Sequence, residues 1–60
     1  MLPQDPVMLL SFMNMKLRDN YSSLDALCDD LEINKEELAE IIGKLEGIGY
    51  KYDPDSNKFA

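Results

Sequence analysis

The stretch that decides the fold is LCDDLEINKEELAEI, residues 27–41. Apolar or small residues occupy positions 27, 28, 31, 33, 38 and 41. This spacing is typical of two short helices that cross steeply around a tight turn, with a small residue where they approach. Cys28 occupies that small position, so we predict a core residue and not a reactive thiol. The stretch therefore predicts a helix-turn-helix unit.

The two helices of this unit are predicted over about residues 24–31 and 35–46. Two serines precede the first helix, and Asn34 with Glu37 forms a capping-box pattern before the second. Gly47 is the predicted C-terminal stop of the second helix. The residues expected to face the core are Leu24, Leu27, Cys28 and Leu31 in the first helix, and Leu38, Ile41, Ile42 and Leu45 in the second.

A further helix is predicted before this unit, over about residues 6–19. Asp5 can cap it, and Pro6 at its first position loses no intrahelical hydrogen bond. Helical projection places three polar residues on one stripe: Ser11, Asn14 and Arg18. The remaining apolar arc is wider than one core face requires. Either the helix is covered on several sides by its own domain, or a second apolar patch docks a partner through Met8, Phe12 and Met15.

The chain after the helices changes to the alternation of a half-buried strand. Apolar and aromatic residues at positions 48, 50 and 52 alternate with glycine and lysine. Residues 53–57 form a turn sequence, and residues 58–60 can pair back, which predicts a hairpin over about residues 48–60. The predicted fold is one domain over residues 1–60. It is mainly α with a small C-terminal β-hairpin: a three-helix, winged-helix-like helix-turn-helix.

Composition argues against several classes of function. Six basic and twelve acidic residues give a formal net charge of −6, which repels nucleic acids and anionic membranes. The chain has no histidine and one cysteine, so it lacks the commonest metal ligand and cannot form an internal disulfide. We therefore predict no enzymatic activity, cofactor, metal or small-molecule substrate. A lone thiol without a signal-like segment favours the cytoplasm.

The order of elements resembles the winged-helix variant of this unit, of the biotin-repressor N-terminal kind, over residues 24–60. That resemblance implies DNA binding, with candidate contacts at Lys35, Lys44, Lys51 and Lys58. The expected outer face of the second helix of the unit opposes it, because this face carries Glu36, Glu37, Glu40, Gly43 and Lys44. Glu32 also departs from the pattern: it occupies a turn position that is often glycine. We therefore expect the turn to be reshaped.

A second resemblance covers the whole chain. The stretches MLPQDPVMLLS (1–11), KLRD (16–19), SLDALC (23–28) and IGYKYDP (48–54) are similar to a family of small bacterial proteins. That family is classed as domain of unknown function 4250. The resemblance implies a bacterial, stand-alone protein and brings no activity to these residues.

The functional hypothesis is a non-enzymatic protein-interaction module, with homodimerisation as the leading mechanism and DNA binding as the alternative. Methionines suit adaptable contacts, which favours the patch of Met8, Phe12 and Met15. Ala39 and Gly43 form a second candidate, a strip of small residues. A glycine inside a helix costs about 1 kcal/mol relative to alanine. Close approach by a partner would account for it, and so would packing within the domain.

Overall fold

The computed structural model describes residues 2–60 and consists of three helices followed by an antiparallel hairpin. Its elements are α1 (Pro6–Asp19), α2 (Leu24–Asp30), α3 (Lys35–Gly47), β1 (Tyr52–Asp53) and β2 (Lys58–Phe59). The predicted fold class, mainly α with a hairpin, is confirmed. Each helix boundary lies within one residue of its prediction. Met1, the first residue of the predicted domain, lies outside the described residues.

Each helix begins at a side chain that accepts a backbone hydrogen bond. The Asp5 carboxylate and the Ser23 hydroxyl each accept from an N–H three residues later, at 3.1 Å. At α3 the capping box is complete. The Glu37 N–H donates to Asn34 Oδ1 at 2.8 Å, and the Asn34 N–H donates to Glu37 Oε1 at 3.4 Å. Such a cap typically contributes about 1 kcal/mol, so local chemistry sets where the helices start.

The turn between α2 and α3 keeps the left-handed conformation that glycine usually supplies. Glu32 has φ 55°, the Ile33 N–H donates to the Cys28 carbonyl at 2.8 Å, and the Glu32 N–H donates to the Asp29 carbonyl at 3.4 Å. This is a Schellman cap with glutamate at its left-handed position. The expected reshaping of the turn is therefore wrong. The two cap hydrogen bonds hold the backbone in this conformation despite the Cβ.

The end of α3 corrects two predictions. Gly47 is the last helical residue and not the stop. The chain reverses two residues later at Gly49, with φ 88°, where the Tyr50 N–H donates to the Leu45 carbonyl at 2.9 Å. Residues 48–50 therefore form a helix cap and not the start of a strand. The hairpin begins at Lys51, which exchanges two backbone hydrogen bonds with Ala60, at 3.0 and 2.8 Å.

The core is built from one stripe on each helix and one residue of the hairpin. Its buried members are Leu9, Met13, Leu17, Leu24, Leu27, Cys28, Ile41, Leu45 and Phe59. Burial, and secondarily the charge of Asp25, raises the pKa of the Cys28 thiol above its ordinary value, as expected for a core cysteine. Leu31 was predicted to face inward but is 37% exposed, because α2 ends before it. Leu38 and Ile42 are half-buried at the core's edge.

The hairpin is attached to α1 by a side-chain amide. Asn14 Nδ2 donates to the Phe59 carbonyl at 3.0 Å, and the Phe59 N–H donates to Asn14 Oδ1 at 2.7 Å. The amide thus pairs with β2 as a neighbouring strand would. The sequence predicted Asn14 on one polar stripe of α1 with Ser11 and Arg18. Those two residues are exposed, whereas Asn14 is half-buried and its amide makes a tertiary contact.

A second network joins the hairpin to the junction between α1 and α2. Asn57 Nδ2 donates to the carbonyls of Leu17 and Tyr21, at 3.1 and 3.0 Å. The Tyr52 hydroxyl donates to Asn57 Oδ1 at 2.7 Å and accepts from the Leu24 N–H at 3.3 Å. The hairpin therefore satisfies a carbonyl at the end of α1 and an N–H at the start of α2 that no helix can satisfy internally, and also a carbonyl of the connection between them.

We expect Asn14→Ala to lower the free energy of unfolding by about 2 kcal/mol. The substitution leaves the N–H and the carbonyl of Phe59 without partners next to the core. Chemical denaturation measures the change, and Ser11→Ala, one turn earlier and exposed, is the control with an expected change within about 0.5 kcal/mol. Equal effects of the two substitutions would contradict the role given to Asn14.

We expect Glu32→Gly to raise the free energy of unfolding by about 0.5–1 kcal/mol. Glycine removes the Cβ that opposes a positive φ, and this gain exceeds the extra chain entropy that glycine loses on folding. Gly49→Ala places a Cβ in the equivalent left-handed position of α3 and should lower stability by about 1 kcal/mol. Thermal unfolding detects both, since about 1 kcal/mol shifts Tm by about 4–8 °C in a domain of this size. A destabilising Glu32→Gly would refute the assignment of strain.

Candidate interaction surface

The outward side of α1 carries large apolar side chains that the domain does not cover. Val7, Met8 and Met15 are 61%, 63% and 45% exposed. Ser11 lies between them on the same side and is also exposed. We call these four residues the α1 face. Among residues 2–60, no helix is both long and apolar enough to cross a bilayer.

Phe12 does not belong fully to this face, although the sequence grouped it with Met8 and Met15. Its ring is half-buried and packs against the edge of the core. Lys16 Nζ lies 5.7 Å from the ring centroid, within the range of a cation–π contact. The structure therefore leaves the two methionines on the α1 face and gives Phe12 a second role, as the wall of a groove.

That groove, which we call the N-terminal groove, lies between residues 2–4, α1, the α2–α3 turn and one side of α3. Its volume is about 440 Å³. It is lined by Leu2, Pro3, Gln4, Leu9, Phe12, Leu31, Ile33, Glu37, Glu40, Ile41 and Lys44. The sequence did not predict this groove. Its only sequence signals are the apolar residues at positions 2, 31 and 33, which come from distant segments of the chain.

The charged residues around the N-terminal groove differ in how far they are already engaged. Lys44 Nζ donates to the backbone carbonyl and the side-chain oxygen of Gln4, at 3.4 and 3.1 Å. Glu37 accepts the long capping hydrogen bond from Asn34. Glu40 is exposed and has no hydrogen bond or ion pair within residues 2–60. The groove therefore combines apolar walls with carboxylates at its rim.

The strip of small residues on α3 faces open space. Ala39 and Gly43 are exposed, and a Cβ built on Gly43 would meet no atom of residues 2–60 within 4 Å, apart from its chain neighbours and the backbone of its own helix. Packing against α1 or the hairpin therefore does not explain this glycine. Glu36 and Glu40 are exposed on the same helix, so this side of α3 is acidic.

The four candidate nucleic-acid contacts differ in exposure and in the partners they already have. Lys35, Lys51 and Lys58 are exposed, whereas Lys44 is half-buried and bound to Gln4. Lys58 lines a separate shallow depression between α1 and the hairpin, away from the groove that Lys44 lines. The exposed charge of α3 is mainly carboxylate, which opposes contact with phosphates.

The turn of the hairpin uses its oxygen atoms within the chain. Asp53 accepts hydrogen bonds from the Ser56 hydroxyl at 2.9 Å and from the Asp55 N–H at 3.0 Å. The Ser56 hydrogen bond and then the Asp55 N–H lower the pKa of Asp53 below its ordinary value. In the part of the chain that the structure describes, no three histidine, cysteine or acidic residues are grouped to hold a metal ion.

Comparison with known proteins gives one match. The family model described as "Domain of unknown function (DUF4250)" matches residues 3–59, nearly the whole chain. No curated protein and no solved structure matches the chain. The predicted resemblance to this family is therefore confirmed, whereas the resemblance to winged-helix domains has no matching structure to support it.

We expect Gly43→Ala to raise the free energy of unfolding by about 1 kcal/mol. Alanine is the better helix former, and the added methyl group has open space around it. Chemical denaturation of the dilute protein measures the gain. If another backbone packs closely against this strip, the same substitution will weaken self-association, which analytical ultracentrifugation would reveal.

Proposed function

We propose a non-enzymatic protein-interaction role in the cytoplasm of a bacterium for this chain, which belongs to the DUF4250 family. The observation that carries the proposal is the α1 face, where Val7, Met8 and Met15 are each nearly half exposed or more. The partner that fits this face best is a second copy of the chain. Burying these side chains would contribute about 25 cal/mol for each Å² of apolar surface removed from water.

Charge favours self-association through α1 over the other surfaces. The protein has a net charge of −6, so two copies repel each other wherever acidic surfaces meet. Helix α1 carries no acidic residue before Asp19, and that carboxylate is paired with Arg18 at 2.8 Å. The small-residue strip of α3, by contrast, would bring Glu36 and Glu40 of two copies together. Two copies can therefore meet along α1 with the least repulsion.

The spacing of the α1 face suits a symmetric pair of antiparallel helices. Met8 and Met15 are seven residues apart, about two turns or about 10 Å along the axis. In an antiparallel pair, Met8 of one copy lies against Met15 of the other, and Ser11 lies close to the two-fold axis. A small residue there lets the helices approach closely. The same arrangement brings Asp5 of one copy towards Arg18 of the other.

We expect the protein to dimerise with an affinity in the micromolar to millimolar range, because the interface is small. Light scattering during size exclusion, from about 10 µM to about 1 mM, should show the mass rising towards twice that of the monomer. Met8→Glu should keep the protein monomeric, since each copy then buries a charge against an apolar side chain. Ala39→Glu on α3 is the matched control and should leave association unchanged.

The register can be tested by mixing two variants. Met8→Glu and Met15→Lys each place a charge in both contacts of their own homodimer. Mixed together, they form one contact between Glu and Lys and keep one between two methionines, so the heterodimer should be favoured. A wild-type protein that stays monomeric at about 1 mM would refute the dimer. If Met8→Glu leaves dimerisation unchanged, the α1 face is not the dimer interface.

A further inference from the structure

We propose that the N-terminal groove binds a short segment of a partner protein that presents apolar side chains next to a lysine or arginine. This surface is separate from the α1 face, because none of the four α1-face residues lines the groove. Either interaction can exist without the other. Three features of the groove support this proposal: its apolar walls, the carboxylates at its rim and the hydrogen bonds that already engage Lys44.

The walls favour apolar side chains. Leu9 and Ile41 form buried parts of the lining, Phe12 and Ile33 are half-buried, and Leu31 is 37% exposed. A volume of about 440 Å³ lies within the range of about 300–1,000 Å³ that is usual for ligand sites. The groove is open along one side, so it suits side chains delivered by a peptide backbone that stays outside. Apolar contact with these walls supplies most of the binding free energy.

The rim selects a positive charge. Glu37 and Glu40 lie one turn apart on α3, while Lys44, the cation among the lining residues of the described part of the chain, already donates to Gln4. The carboxylates at the rim and the net charge of −6 attract a cationic segment and repel an anionic one. Exposed ion pairs add little affinity, so the carboxylates act mainly on association rate and on the choice of partner. The apolar walls and acidic rim together specify an apolar–basic segment.

The experiment selects peptides from a phage-displayed library of random dodecapeptides against the full chain. Enriched peptides should combine leucine, isoleucine or phenylalanine with lysine or arginine, and fluorescence anisotropy measures the affinity of their synthetic forms. Glu40→Lys should weaken binding at least about tenfold through like-charge repulsion at the groove. Glu46→Lys makes the same charge change on α3 outside the groove and should have less than about threefold effect.

A second pair of variants tests the apolar wall. Leu31 and Ile48 occupy the C-cap positions of α2 and α3 and are equally exposed, at 37% and 38%, but only Leu31 lines the groove. Leu31→Ala should weaken peptide binding about fivefold, and Ile48→Ala should leave it unchanged. Thermal unfolding checks that all four variants are folded.

Three results would overturn the proposal. They are the absence of enriched peptides, enrichment of acidic peptides, and equal effects of the groove variants and their controls. Binding to vesicles of phosphatidylcholine with phosphatidylserine is measured as well. If the protein binds these vesicles and Leu31→Ala abolishes that binding, the groove is a membrane-binding site and not a peptide site. Met8→Glu should leave peptide binding intact. The dimer proposal and the peptide-binding proposal can therefore fail independently of each other.

Discussion

The two hydrogen bonds between the Asn14 amide and the backbone of Phe59 are the contact on which the rest of the structure depends. A hairpin with strands of two residues is not stable by itself in water. Asn14 completes the hydrogen bonding of β2 and thereby holds the Phe59 ring in the core. Tyr52 packs against that ring, with centroids 5.5 Å apart, and its hydroxyl reaches the start of α2. The hairpin is thus attached to α1 and to the start of α2.

The helices were predictable because their signals are local. A cap such as Asn34 acts on residues within one turn, and its effect is visible in a short stretch of sequence. The end of α3 was predicted at the wrong glycine because two nearby positions carry the same stop signal. Gly47 and Gly49 are both plausible stops, and only the hydrogen bond from the Tyr50 N–H to Leu45 decides between them. The polar stripe did not reveal the contact that Asn14 makes, because its partner, Phe59, is 45 positions away.

The candidate surfaces were predictable to different degrees for the same reason. The apolar arc of α1 is wider than one core face requires, which indicated apolar side chains outside the core. Met8 and Met15 are indeed exposed. The pattern could not separate Phe12 from them, since its burial depends on segments that fold against it from elsewhere. The N-terminal groove is formed by four such segments, and none of them carries a sequence pattern that predicts a groove. Surfaces of this kind form by tertiary packing of distant segments, so sequence periodicity does not reveal them.

The triple role of the Asn57 amide has a consequence for how the molecule unfolds. It links the end of α1, the residue after the following turn and the Tyr52 hydroxyl, and Tyr52 in turn links to α2. Opening the hairpin leaves polar groups of α1 and of the start of α2 without partners, and opening α1 leaves polar groups of the hairpin without partners. We therefore expect α1, the start of α2 and the hairpin to open together, as one cooperative unit, in amide exchange. Its closing contacts join distant positions, so folding must wait for a wide loop to close.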